Sequence, residues 1–256
     1  MGLDLKAFFN EDGIDVFSEV SIDNLTDADR RDALQLLPGA RSVIVFGREV
    51  PVPAYKSTAK DKTRVMLRIA EALDNSATRL ARCLNEEHLQ ARPVPLYLPV
   101  RIRDGHILGV IRLKSVAATG KLGSTGKSSL LLSPLYGPRL LLSGVVTNRP
   151  VPVSVPGDGT PSVTGSPGSM PCTGCGRCLK VCPGGAFGPD GVAPFRCRTV
   201  SHWISPPLVP LVSWILARRT FLIYLAPLAP WIARMATIPC SLCVTECPLF
   251  EGSQGT

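Results

Sequence analysis

Cys172-Thr173-Gly174-Cys175-Gly176-Arg177-Cys178-Leu179-Lys180-Val181-Cys182-Pro183 spaces four cysteines by two, two and three residues and closes them with a proline. Three thiolates this close can occupy three corners of one iron–sulfur cubane. The fourth, displaced by the extra residue and turned by Pro183, is the type of ligand that reaches across to a second cluster. A second set is then required, and Cys240-x2-Cys243-x3-Cys247-Pro248 supplies it. This set lacks a leading cysteine at the local position, and Cys197 can provide that thiolate from a distance. The bookkeeping assigns Cys172, Cys175, Cys178 and Cys247 to one 4Fe–4S cluster, and Cys182, Cys197, Cys240 and Cys243 to the other. Only Cys83 is left over. Cys-x2-Cys pairs also bind zinc, but zinc ribbons need neither the third close cysteine nor the Cys-Pro.

Working outward, residues 150–171 are rich in Pro, Gly, Ser and Thr with almost no charge, a linker composition that marks a domain boundary. Eight of the nine cysteines lie beyond it. The expected organisation is therefore a first domain over 1–149, a linker over 150–171, and a cluster domain over 172–256 with an apolar insertion at 206–239. That insertion carries Arg218 and Arg219 in its middle and is broken by Pro210, Pro227 and Pro230. Its uninterrupted pieces fall short of the roughly 20 residues of a membrane span. Two short helices are expected instead. They act either as a cap packed over the rest of the protein or as a peripheral membrane or protein docking face, with Trp214, Phe221, Tyr224 and Trp231 as interfacial aromatics.

The first domain reads as mixed helix and strand. Val65, Ile69, Leu73, Ala77, Leu80 and Leu84 recur at helical spacing within residues 61–90. A helix is also expected near residues 27–37, with strands at Ser42–Gly47, Pro93–Val100 and Leu140–Thr147, making an α+β domain. A chain of 256 residues with 45% hydrophobic content excludes a disordered protein and a small disulfide-stapled scaffold. The first residues show no secretory pattern, so a reducing cytoplasmic setting is expected, with the cysteines serving metal rather than disulfides. The net charge is +8, and no acidic residue falls between Asp104 and Asp158 although Arg112, Lys114, Lys121, Lys127, Arg139 and Arg149 do. A segment that is only basic, and rich in Gly, suits an anionic ligand such as a phosphate.

Within that segment, Gly120-Lys121-Leu122-Gly123-Ser124-Thr125-Gly126-Lys127-Ser128 looks like a nucleotide-binding loop, but the glycine needed five positions before Gly126 is Lys121. The spacing fails by one residue, and ATP hydrolysis is rejected. Another likeness fits the whole stretch. Leu122-Gly123-Ser124-Thr125-Gly126-Lys127, the apolar strand after it, Pro134-Leu135-Tyr136-Gly137, and the strand ending at Thr147-Asn148 resemble epoxyqueuosine reductases. So do Ala40–Gly47 and the cysteine pattern with its remote Cys197.

The resemblance implies a nitroreductase-like N-terminal domain joined to a bacterial-type two-4Fe–4S ferredoxin-like module, an arrangement shared with reductive dehalogenases. It also implies a cobalamin reduced by the clusters, with Gly123, Gly126, Lys127 and Ser128 near its phosphate-bearing tail; a flavin in the same pocket is the alternative. A ferredoxin or flavodoxin is the implied electron donor. The family's proton-donating Asp in an Asp-Ser-Ala-Pro-type stretch has no match here, and Asp104 or His106 would take its place. The loop's usual aromatic is Ser124, and the helical-repeat extension of many tRNA-acting relatives does not follow Cys247. Little aromatic interleaving supports tRNA binding either, since residues 105–157 contain only Tyr136. tRNA is therefore not expected as a partner. The expected function is an iron–sulfur oxidoreductase of this type, a cobalamin-dependent reductase. The alternative is plain electron transfer to a corrinoid protein or a membrane-associated acceptor.

Overall fold

The computed structural model describes residues 3–97, 100–103, 106–151, 172–188, 191–216, 222 and 226–252. Most of the expected linker, and the expected interfacial residues Phe221 and Tyr224, lie outside the described residues. Ten strands are described: β1 (Val16–Ser21), β2 (Ser42–Glu49), β3 (Ala91–Pro93), β4 (Val100–Arg103), β5 (His106–Gly109), β6 (Ser124–Thr125), β7 (Leu131–Leu132), β8 (Leu140–Thr147), β9 (Phe187–Gly188) and β10 (Gly191–Val192). The helices of the first region are α1 (Leu5–Glu11), α2 (Asp27–Leu36), α3 (Val52–Lys56), α4 (Ala59–Glu86) and α5 (Leu113–Thr119). Beyond it lie α6 (Arg177–Lys180), α7 (Arg198–Ser201), α8 (Val209–Leu216), α9 (Ala229–Met235) and α10 (Leu242–Thr245).

The centre is a four-stranded antiparallel sheet in the order β1-β2-β8-β3. Its inner strand β2 reads as an unbroken apolar run because both faces are covered. Val43 and Val45 point into a core with Ala33 of α2 and Val116 of α5. Ile44 and Phe46 point the other way, against Phe9 of α1 and Leu73, Ala77, Leu80 and Leu84 of α4. Side-chain alternation along a strand thus divides one hydrophobic run between two cores. The expected α4 stripe packs from Ile69 onward, while Val65 stays outside both cores, and the N-terminus of α4 is capped by Thr58, whose hydroxyl accepts from the amide of Asp61.

The strand expected over Pro93–Val100 is shorter than its sequence suggests. β3 ends at Pro93, and only the Val94 amide carries the pairing one step further, to Gly144 O at 2.9 Å. Pro95 has no N–H to continue it. A strand absent from the sequence reading, β1, forms the sheet edge and pairs with β2 over its whole length.

Asp29 fixes α5, the helix that leads into the Gly-Lys loop. Fully buried, it accepts from Arg112 Nε at 2.7 Å, Ser115 Oγ at 2.7 Å and Thr26 Oγ1 at 2.8 Å. These charge-assisted bonds satisfy a carboxylate that would be costly to bury alone.

Candidate metal centre

The cysteine-bearing region sits against the sheet region at a seam built from both. Arg139, at the entrance to β8, is 3% exposed and donates to Phe250 O at 2.5 Å, Glu251 O at 3.2 Å and Val50 O at 3.2 Å, while its charge pairs with Glu49. Its guanidinium also lies over the Phe250 ring, which meets Tyr55 edge-on. Gly137, in a left-handed conformation, lets the backbone of Leu249 approach so closely that any Cβ would collide with the Leu249 carbonyl. From α4, Lys62 Nζ donates to Ser241 Oγ at 3.0 Å, and Thr63 Oγ1 accepts from the Ile238 amide at 2.8 Å. These bonds hold the chain on either side of Cys240, and Arg139 and Gly137 hold the chain just after Cys247.

The eight cysteines fall into two groups. Cys172, Cys175, Cys178 and Cys247 line one cavity together with Gly126, Lys127 and Ser128. Within this group burial pushes the Cys178 and Cys247 thiols up, and the neighbouring Cys172 and Cys175 push both further in the same direction. The exposed Cys175 thiol is drawn down instead, chiefly by the backbone amide of Arg177. Cys182, Cys197, Cys240 and Cys243 gather separately. Burial raises the Cys243 thiol to about 11, and Cys240, Cys197 and Cys182 all add to the rise.

Local backbone explains the first group. Gly174 and Gly176 are both left-handed, the second at the start of α6, and they curl the chain so that Cys172, Cys175 and Cys178 border one cavity. In the second group, the Ala186 amide donates to Cys182 Sγ at 3.3 Å. Thr199 Oγ1 donates to Cys240 O at 3.1 Å and so ties α7, which follows Cys197, to the later cysteines.

Eight thiols in two sets of four are the donor chemistry of two clusters with four thiolates each, so the residues fit 4Fe–4S groups. Among the described residues no group of three or more His, Cys, Asp and Glu side chains is placed to hold a metal ion.

The Gly-Lys loop is not a nucleotide loop in its setting. It follows α5, contains β6, and turns into β7 rather than into a helix. Gly123 is demanded by packing, since a Cβ there would strike the Leu132 carbonyl, and Gly126 lies against the Leu132 side chain. Ser128 is buried, and Lys127 Nζ donates to Gly174 O at 3.2 Å, between two cysteines of the first group. The loop therefore faces the thiols directly, a relation that the sequence spacing could not reveal. The cavity they share measures about 20 Å³. Because the four thiols bound it, this space belongs to the candidate cluster, not to a separate cofactor pocket. Of the two proton-donor candidates, Asp104 lies outside the described residues. His106 stands in β5, paired with Arg103 across the β4–β5 hairpin.

No family model matches the chain. An epoxyqueuosine reductase from Synechocystis sp. is 30% identical over 161 residues, covering 60% of this chain and 48% of that protein. Another from Synechococcus sp. is 28% identical over 201 residues, covering 73% of this chain and 54% of the relative. Among solved structures, epoxyqueuosine reductase from Streptococcus thermophilus superposes with a TM-score of 0.60 at 15% identity, over 96% of this chain and 65% of the other. The chain spans about half the length of the curated relatives it matches. In sequence and in fold, it is thus similar to the epoxyqueuosine reductases over the part of their length that it spans.

Proposed function

We propose that the chain is an iron–sulfur oxidoreductase of the epoxyqueuosine-reductase type, with a nitroreductase-like domain and a ferredoxin-like module. Two 4Fe–4S clusters pass electrons to an acceptor at the Gly123–Ser128 loop, cobalamin being the acceptor that the resemblance implies. The observation that carries this reading is the cavity in which Cys172, Cys175, Cys178 and Cys247 meet Gly126, Lys127 and Ser128. Electrons from a ferredoxin or flavodoxin enter at the Cys182, Cys197, Cys240 and Cys243 group and leave through the first. Lys127 contributes a positive charge at the exit, which favours an anionic acceptor and the reduced state of the nearby cluster. Cobalamin, when bound, would supply two-electron reduction chemistry that the side chains lack.

The absence of the family's Asp-Ser-Ala-Pro-type stretch ahead of the loop favours a second reading, in which the chain is a two-cluster electron carrier that reduces a corrinoid held by another protein. An anaerobic EPR titration of cluster-loaded protein with cob(II)alamin separates the two. A stoichiometric base-off Co(II) signal, weakened by Lys127→Ala, is the outcome expected of the enzyme. An unchanged cobalt spectrum beside reducible cluster signals leaves the carrier. Stoichiometric zinc in place of roughly eight iron and eight sulfide per chain overturns both.

A further inference from the structure

We infer that α9 and the groove beside it form a docking site for an anionic lipid bilayer, on which the protein lies without crossing it. Trp231, Ile232 and Met235 follow one another at intervals of one and three residues, which places them on one face of α9, and Leu228, its N-cap residue, precedes Trp231 by three. That face points to solvent, the four side chains being 52–65% exposed. Off that face the helix meets the body of the protein. Ala229 is buried on one flank, and on the other Arg234 donates twice to Glu71 of α4, at 3.2 and 3.0 Å. The apolar stripe is therefore presented by an anchored helix.

Met235 also forms one wall of a 360 Å³ groove between α4 and the chain after α9. Lys60, Arg64, Arg68 and Arg234 line this groove against a single acid, Glu71. Asp61 pairs with Arg64 from its own helix at 2.9 Å, so the local balance is four positive charges against two negative. The wider segment has the same sign throughout, with no acidic residue from Gly191 to Thr245 but Arg196, Arg198, Arg218, Arg219 and Arg234.

The chemistry of the partner follows from this pairing. All three tryptophans of the chain, Trp203, Trp214 and Trp231, lie in the segment and are more than half exposed. Indole rings suit the boundary between headgroups and acyl chains, and basic side chains suit anionic phosphates just above it. No helix among the described residues is long and apolar enough to cross a membrane, so the contact is interfacial.

The test is flotation of the cluster-loaded full chain with phosphatidylcholine vesicles, with and without phosphatidylglycerol. Expected is co-flotation with the anionic vesicles, weakened by salt, with a blue shift of tryptophan emission. Trp231→Ser combined with Met235→Ser should cut binding at least about tenfold, since both side chains lose their apolar contact. Lys60→Gln and Arg68→Gln should each cut it about fivefold, and on anionic vesicles only. Cluster absorbance serves as the folding control, because these four side chains lie outside both cysteine groups. Absence of flotation with either vesicle overturns the inference. So does equal flotation of the Trp231→Ser/Met235→Ser protein, or a dimer in solution that this variant abolishes, which would assign the face to a second copy.

Discussion

In the sheet region, β2 alone buries Val43, Ile44, Val45 and Phe46 completely, and α4 adds Leu73, Leu80 and Leu84. Between residues 172 and 252 the described apolar side chains that are buried amount to Ala186, Leu222, Ala229, Val244 and Phe250. Fully burying a large apolar side chain contributes about 1.5–3 kcal/mol, so among the described residues burial stabilises the first region far more than the second. What the second region gathers at its centres is thiols, one of them raised to about 11 by burial and by its neighbours. Iron would convert that mutual repulsion into attraction, because its ligands bind as thiolates. One chain thus contains a core of hydrocarbon and, on the present proposal, a core of metal.

The largest effect should come from removing the metal. Anaerobic chelation of the loaded protein is expected to release amide protection throughout residues 172–252 while β2 and β8 stay protected, as read by hydrogen exchange. Cys178→Ser should lower the iron content by about half, and Cys83→Ser should leave it unchanged. Loss of protection in β2 together with the cysteine region would show a single cooperative unit and break the comparison.

Next in size is the joint. Arg139 carries the only buried guanidinium among the described residues and spends it on carbonyls of both regions, Val50 on one side and Phe250 and Glu251 on the other. Arg139→Ala strands Glu49 and three carbonyl oxygens, which should cost about 3–5 kcal/mol. Urea unfolding would give the magnitude, and faster exchange at residues 247–252 would show that the loss falls at the seam. Arg139→Lys keeps the charge but not the planar fork, and should recover only part of the difference.

How much of this could be read from the sequence follows the same division. The spacing of Cys172, Cys175 and Cys178 is local and stands out in the sequence, and the fold brings them to one cavity with the distant Cys247. The α4 stripe was legible because burial of one face imposes a period, and β2 because burial of both faces makes an unbroken apolar run. β1 was not, since Val16-Phe17-Ser18-Glu19-Val20-Ser21 carries a mixed pattern and gains its place only by pairing with β2. The contact from Lys127 to Gly174 spans 47 residues and has no local signature. Gly123 stood out as a ligand-binding glycine, whereas its immediate role is to let Leu132 approach.

The smallest effect sharpens the seam from the other side. Burial pushes the Tyr55 phenol up to about 12, with Arg139 opposing the rise and Cys243 adding to it. In the unfolded chain the same phenol titrates near its ordinary value of 10. The folded state therefore favours the neutral phenol. Its contribution is complete below pH 10 and is lost as the pH climbs through the folded value near 12. Between these limits the unfolded chain can release a proton that the folded one retains, so the wild-type protein should lose on the order of 1 kcal/mol more than Tyr55→Phe. Other alkaline groups, Tyr136 among them, titrate in both proteins and cancel in the difference. Because Tyr55 meets Phe250 edge-on at 5.4 Å, the excess loss should appear as exchange at residues 247–252 before the sheet responds. Equal slopes for the two proteins would place Tyr55 outside the seam's energetics and leave Arg139 as its main fastening.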